Sequence, residues 1–246
     1  MTEPGLYIVA TPIGNLEDIT LRAIRVLRDA DVIAAEDTRR TRTLLSALEI
    51  PTPEMMSLHA YNEHGRCARV LDRVESGLVV AAVSDAGTPA IADPGFLLVR
   101  EALARGIEPV TVPGVSALTF AAAAAGVPVD EFVFAGFPPV KSGKRQKFFA
   151  RHLACGESVF FYESPHRLAK TLGELRDAGG GGRRCAIIRE ATKLHEEILR
   201  GTVAEMAEKY SGNAAVRGEF VIAVAKESSK GLKETGDKTD FDLQNR

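Results

Sequence analysis

Short uninterrupted apolar runs alternate along the chain with segments whose apolar positions recur at helical spacing. The run "LYIVA" (6–10) reads as a strand, and Thr20 can cap a helix carrying Leu21, Ile24 and Leu27 on one face. "VIAAE" (32–36) is a second strand, followed by a helix from Thr38 to about Leu48. Residues 63–76 read as helix, "LVVAAVS" (78–84) as strand, 95–105 as helix and "EPVTVPG" (108–114) as strand plus turn. Continuously apolar strands that alternate with helices predict a mainly parallel sheet covered on both faces.

The pattern changes after residue 113. "SALTFAAAAAG" (116–126) is an alanine-rich helix, and strands are expected at 132–137, 158–164, 185–190, 196–203 and 218–225, with helices at 143–154, 166–178 and 203–210. "EEILRGTV" follows "CAIIRE" too closely for a crossover, so an antiparallel pair is expected there. The fold class is therefore α/β, with a first domain over 1–114 and a second, mixed-sheet domain over 115–227. "GGGG" (179–182) reads as a flexible loop tip, and the polar segment 228–246 as a disordered tail.

Composition narrows the classes. No stretch is long and apolar enough for a membrane helix, and the N-terminus lacks the basic flank of a signal peptide. A cytoplasmic protein without a membrane partner is expected. Three cysteines, far apart and without CxxC spacing, suggest neither a disulfide framework nor a zinc site. A net charge of −2 argues against a protein that coats nucleic acid non-specifically, but leaves room for a specific RNA. Basic clusters are local: Arg39, Arg40 and Arg42; Lys141, Lys144, Arg145 and Lys147; Arg183 and Arg184.

Three Gly/Pro-rich turns follow strands of the first half: "TPIGNL" (11–16), "SDAGTPAIADPG" (84–95) and "VPGVSA" (112–117). Ligands of open parallel sheets bind outside the carboxyl ends of the strands, so these turns form a plausible pocket rim. Neither GxGxxG nor the P-loop motif is present. Asp85 and Asp93 lack further ligands at suggestive spacing, and no metal site is expected. Both aspartates also suit turns and helix caps.

In order, "LYIVATPIGNLEDIT", "AAEDTRRTR", "SDAGTPAIADPG", "VPGVSA", "FAGFPP", "FYESPHRL", "REATKLHEE" and "RGEFVIAV" resemble one family, the tetrapyrrole-methylase-like (class III) S-adenosylmethionine methyltransferases. The resemblance runs from about Leu6 to Val224 and is most specific to a branch acting on ribosomal RNA. Ala191 and Ala92 depart from the residues usual in that branch. The resemblance implies two α/β domains with S-adenosylmethionine in the cleft between them, a homodimer, and 2′-O-methylation of a cytidine ribose in 16S rRNA. The substrate would be an assembled small subunit near its decoding centre, not DNA.

By the same resemblance, Pro12, Gly14, Asp85, Gly87, Thr88, Ser116, Ala117 and Tyr162 would bind the cofactor, with Asn15 near the methyl-transfer site. Glu36 and Asp37 stand at a strand end beside Arg39, offering a candidate base and a candidate phosphate clamp. Helix capping is the other use of such acids. His59, Asn62, Glu63 and His64 form a second polar cluster. The proline-stiffened segment 138–147, with Lys141, Lys144, Arg145 and Lys147, suits phosphate contacts, as do Arg39, Arg40 and Arg167.

Overall fold

A computed structural model describes residues 2–212 and 216–227; the expected tail over 228–246 lies outside them. The first sheet has the order β3-β2-β4-β1-β5, and all its pairings are parallel. Its strands are β1 (Gly5–Val9), β2 (Val32–Ala35), β3 (Glu54–Ser57), β4 (Val79–Val83) and β5 (Val110–Val112). Every residue of β2 and β4 is buried, as continuous apolar strands require. Helices α1 (Leu21–Asp29) and α2 (Thr38–Ala47) cover one face; α3 (Glu63–Glu75) and α4 (Phe96–Ala104) cover the other.

Thr20 caps α1 as expected, its hydroxyl accepting from the Ala23 amide at 3.0 Å. The buried side of α1 is Ala23, Val26 and Leu27, whereas Leu21 faces solvent. Strand β3 is an addition to the expected elements. It is a short edge strand held to β2 in the register Val32↔Glu54 to Ala35↔Ser57.

The second sheet has the order β6-β7-β10-β8-β9, built from β6 (Phe132–Phe134), β7 (Ser158–Glu163), β8 (Arg184–Arg189), β9 (Glu197–Thr202) and β10 (Phe220–Val224). Only the β6–β7 pair is parallel, and β8–β9 is the antiparallel pair inferred from spacing. Helix α5 (Ala117–Ala124) packs its alanines on one face. Helices α6 (Ser142–Leu153), α7 (Leu168–Leu175) and α8 (Val203–Tyr210) bury phenylalanines and leucines on the other. The "GGGG" stretch is not a free loop tip. Gly180 is buried, and amides of Arg183 and Ala204 donate to the carbonyls of Gly180 and Gly181. No helix among the described residues is long and apolar enough to cross a membrane.

Candidate functional site

The turns after β1 and β4 are joined to each other before they meet any ligand. Thr11 N–H donates to the Gly87 carbonyl at 2.8 Å, and Gly87 N–H returns a bond to Thr11 at 3.0 Å. Gly87 sits at φ 77°, a left-handed conformation that a side chain would strain. Gly14 serves a different need, close approach: a Cβ there would stand 2.3 Å from Lys193 Cγ and 3.2 Å from the Ala191 carbonyl. The first turn therefore lies directly on the β8–β9 connection, and the Asn15 amide donates to Thr192 Oγ1 at 3.1 Å.

Between the two sheets lies a cavity of about 360 Å³. Ile13, Gly87, Thr88 and Asp93 line it from the first sheet's loops, Ser116 and Ala117 from the start of α5, and Tyr162, Ile188 and Val221 from the second sheet. Burial pushes the Tyr162 phenol above its usual range. An adjoining depression of about 380 Å³ shares Ile13, Ala86 and Glu219 with it and is lined by Pro12, Gly14, Arg40, Asp85 and Lys193. Of the residues expected to bind cofactor, Gly87, Thr88, Ser116, Ala117 and Tyr162 meet in the cavity. Pro12, Gly14 and Asp85 face the depression instead. Asn15 lines neither; its carboxamide oxygen accepts from the Glu17 amide at 3.0 Å and caps the turn Leu16–Asp18.

The carboxylates divide sharply. Asp37 caps α2 through the Arg39 amide at 2.8 Å and is forked by the Arg39 guanidinium at 3.1 and 2.8 Å. Those bonds hold its pKa at about 2, which makes it a weak proton acceptor, and in this structure the side chain is engaged as a cap. Glu36 is half-buried and accepts from the Asp85 amide at 3.1 Å; burial, then the charge of Asp85, raises its pKa. Asp85 itself accepts from the Asp37 amide at 3.0 Å and stands 3.3 Å from Arg40. Asp93 is no helix cap, because Gly95 occupies the N-cap of α4. Burial first, then the charges of Glu36 and Asp85, push Asp93 up to about 7.

The segment bearing Asp93 is conformationally strained, with Ala90 at φ 70° and Ala92 at φ 65°. Glu63, buried on α3, fastens its end. One carboxylate oxygen accepts from the Gly95 amide at 2.8 Å and the Leu97 amide at 3.1 Å, supplying the cap that α4 lacks.

A protein-family model, "Tetrapyrrole (Corrin/Porphyrin) Methylases", matches residues 5–207. The chain belongs to the tetrapyrrole methylase family. A curated relative named ribosomal RNA small subunit methyltransferase I, from Mesorhizobium japonicum, is 44% identical over 228 residues, 93% of this chain and 77% of that protein. One of the same name from Pseudomonas aeruginosa is 44% identical over 226 residues, 92% of this chain and 80% of that protein. Among solved structures, a cobalt precorrin-4 methyltransferase shares the fold at a TM-score of 0.63 and 23% identity, covering 90% of this chain and 94% of its own. A Thermus thermophilus uroporphyrin-III C-methyltransferase complexed with S-adenyl homocysteine aligns at 0.59 and 21%, covering 90% and 97%.

In this tetrapyrrole methylase family member two expected RNA contacts are structural. Arg145 is only 1% exposed: Nε and NH2 fork Glu174 at 2.8 and 2.7 Å, and NH1 donates to the carbonyls of Pro139 and Val140. Arg167 is pinned to the buried carboxylate of Glu163 and donates to the Pro138 carbonyl at 2.7 Å. Lys141, Lys144 and Lys147 are exposed, and Arg39 and Arg40 also reach solvent. Sequence reasoning missed Asp93, Phe137 and Glu163 as cavity residues. The alternation in "SVFFYE" puts Glu163 on the face of Phe161, towards α7 and opposite Tyr162, so the strand pattern carried no signal for it.

Proposed function

We propose that the protein transfers the methyl group of S-adenosylmethionine to the 2′-hydroxyl of a cytidine ribose in 16S rRNA, acting in the cytoplasm on the assembled small subunit near its decoding centre. The observation that carries the substrate is the 44% identity, over nine-tenths of the chain, to relatives named small-subunit rRNA methyltransferases. The cavity supports the cofactor. Its volume of about 360 Å³ lies in the range of roughly 300–1,000 Å³ typical of organic-ligand pockets. Apolar walls at Ile13, Ile188 and Val221 suit a purine, and the carboxyl of Asp93 suits a ligand bearing ammonium and sulfonium charge. The turns at 11–16 and 84–95 would hold the cofactor from the first domain, 1–114, and Tyr162 from the second, 115–227. Exposed Tyr61, Phe96 and Leu103 offer apolar surface for a homodimer.

When bound, S-adenosylmethionine supplies an electrophilic methyl group. The chain's part is to hold a weak nucleophile in line with it and to exclude water. Asp93, pushed up to about 7, is a carboxyl able to take up a proton near neutral pH, and Glu36 has its pKa raised by burial and by the charge of Asp85. Lys141, Lys144, Lys147, Arg39 and Arg40 would contact phosphates. The test is transfer of labelled methyl from S-adenosylmethionine, with small subunits and porphyrinogens as alternative acceptors. Label in the rRNA of small subunits supports the proposal; label only in porphyrinogens sinks it.

A further inference from the structure

The loop between β6 and α6 is held more firmly than its exposure warrants. Gly136, at φ 64°, turns the chain out of the strand direction, and Phe137 follows with 54% of its surface exposed. That ring lines the mouth of the cavity and packs edge-on against Tyr162, with centroids 5.5 Å apart and planes at 66°. The next three carbonyls each accept from a guanidinium: Pro138 from Arg167 at 2.7 Å, Pro139 and Val140 from Arg145 at 3.1 and 3.0 Å. Both arginines are themselves fixed by forks to Glu163 and Glu174. Two prolines stiffen the same stretch. Immediately beyond it, Lys141 at the N-cap of α6 and Lys144 and Lys147 within it recur every third residue, towards one side of the helix start. Their ammonium groups are exposed and have no carboxylate partner among the described residues.

A rigid, exposed aromatic at a cavity mouth, flanked by unpaired cations, matches the chemistry of an unstacked nucleotide. Bases splayed from single-stranded RNA stack on aromatic rings while cations track their phosphates. A platform ordered beforehand loses little entropy on binding. We infer that Phe137 is the platform on which the base of the acceptor nucleotide stacks, with Arg145 and Arg167 as positioning residues that set its height over the cavity. The inference rests on the RNA reading above and adds the residue that holds the base in place.

The experiment is steady-state methylation of small ribosomal subunits lacking the modification, together with calorimetric binding of S-adenosylhomocysteine. Phe137→Ala should raise KM for subunits by about tenfold, within the roughly 5- to 150-fold range that stacking on an aromatic carries. Phe137→Trp should stay within about twofold of wild type, because the indole keeps a stacking face. Because Phe137 stands at the cavity mouth with more than half its surface exposed, both variants should keep S-adenosylhomocysteine affinity within about threefold of wild type, well short of the KM change. Loss of that binding in Phe137→Ala would place the ring against the cofactor and overturn the inference, as would an unchanged KM. A wild-type protein that transfers no methyl to subunits would instead remove the RNA reading, and the platform with it.

Discussion

Replacing Arg145 by methionine separates two roles that a lysine-rich sequence context conflates. The guanidinium makes four hydrogen bonds, two to Glu174 and two to backbone carbonyls, in a site only 1% exposed. In Arg145→Met, Glu174 keeps only the Ser142 hydroxyl at 2.9 Å as a side-chain partner. Breaking a buried pair from one side costs about 3–5 kcal/mol. At about 2–4 °C per kcal/mol for a chain of this size, Tm should fall on the order of 10 °C. Arg145→Met combined with Glu174→Met removes both charges and should recover most of that loss, since apolar replacement of a buried pair is often neutral or better. Thermal unfolding followed by circular dichroism reads both. The double variant should nonetheless keep a raised KM for small subunits, because the carbonyls of Pro139 and Val140 have lost their donor. An Arg145→Met protein that melts like wild type, yet binds subunits poorly, would restore Arg145 to the RNA surface and refute the structural role.

Asp93 gives a pH signature. Its pKa of about 7 means the empty cavity holds a neutral acid below that pH. A cationic ligand favours the carboxylate, so affinity for S-adenosylmethionine should rise about tenfold from pH 6 to pH 8, as the ionised fraction grows, and then level off. Titration calorimetry across that range should show this in wild type and a flat profile in Asp93→Asn; a flat wild-type profile would rule the linkage out. Glu63→Gln weakens the cap on α4 and should lower Tm by a few degrees, consistent with about 1 kcal/mol for a lost cap. It should also weaken cofactor binding by freeing the end of the 84–95 segment; unchanged affinity would count against Glu63 as its anchor. Replacing Lys141, Lys144 and Lys147 together by glutamate should reduce the slope of log affinity for subunits against log salt by roughly 2 to 3, while Tm and S-adenosylhomocysteine binding stay constant. An unchanged slope would take the phosphates off this face.

Elements whose burial is written in consecutive residues were readable from the sequence, and those decided by distant partners were not. Strands β1, β2 and β4 are buried on both faces, so their apolar runs are unbroken. β3 is an edge strand of one exposed and three half-buried residues after two prolines, and nothing local distinguishes it from a loop. The Gly- and Pro-rich turns marked the cavity and the depression beside it because close backbone approach leaves its own mark in the sequence, as at Gly14 against Lys193 in the depression. Charge was harder to read. Arg145 sits among solvated lysines in sequence, but its partner Glu174 comes from another helix. Asp93 looks like a cap beside Pro94 and Gly95, yet its environment is set first by burial, then by the charge of Glu36 from the turn after β2 and of Asp85 from its own turn.

The chemistry of the product decides whether the protein is a ribose methyltransferase. Mass mapping of nuclease digests of 16S rRNA, from small subunits incubated with the protein and S-adenosylmethionine, tests it most directly. One new 2′-O-methylcytidine should appear in the decoding region, and none when the protein is omitted. Methylation confined to a base, or a digest with no new ribose methyl group, would contradict it.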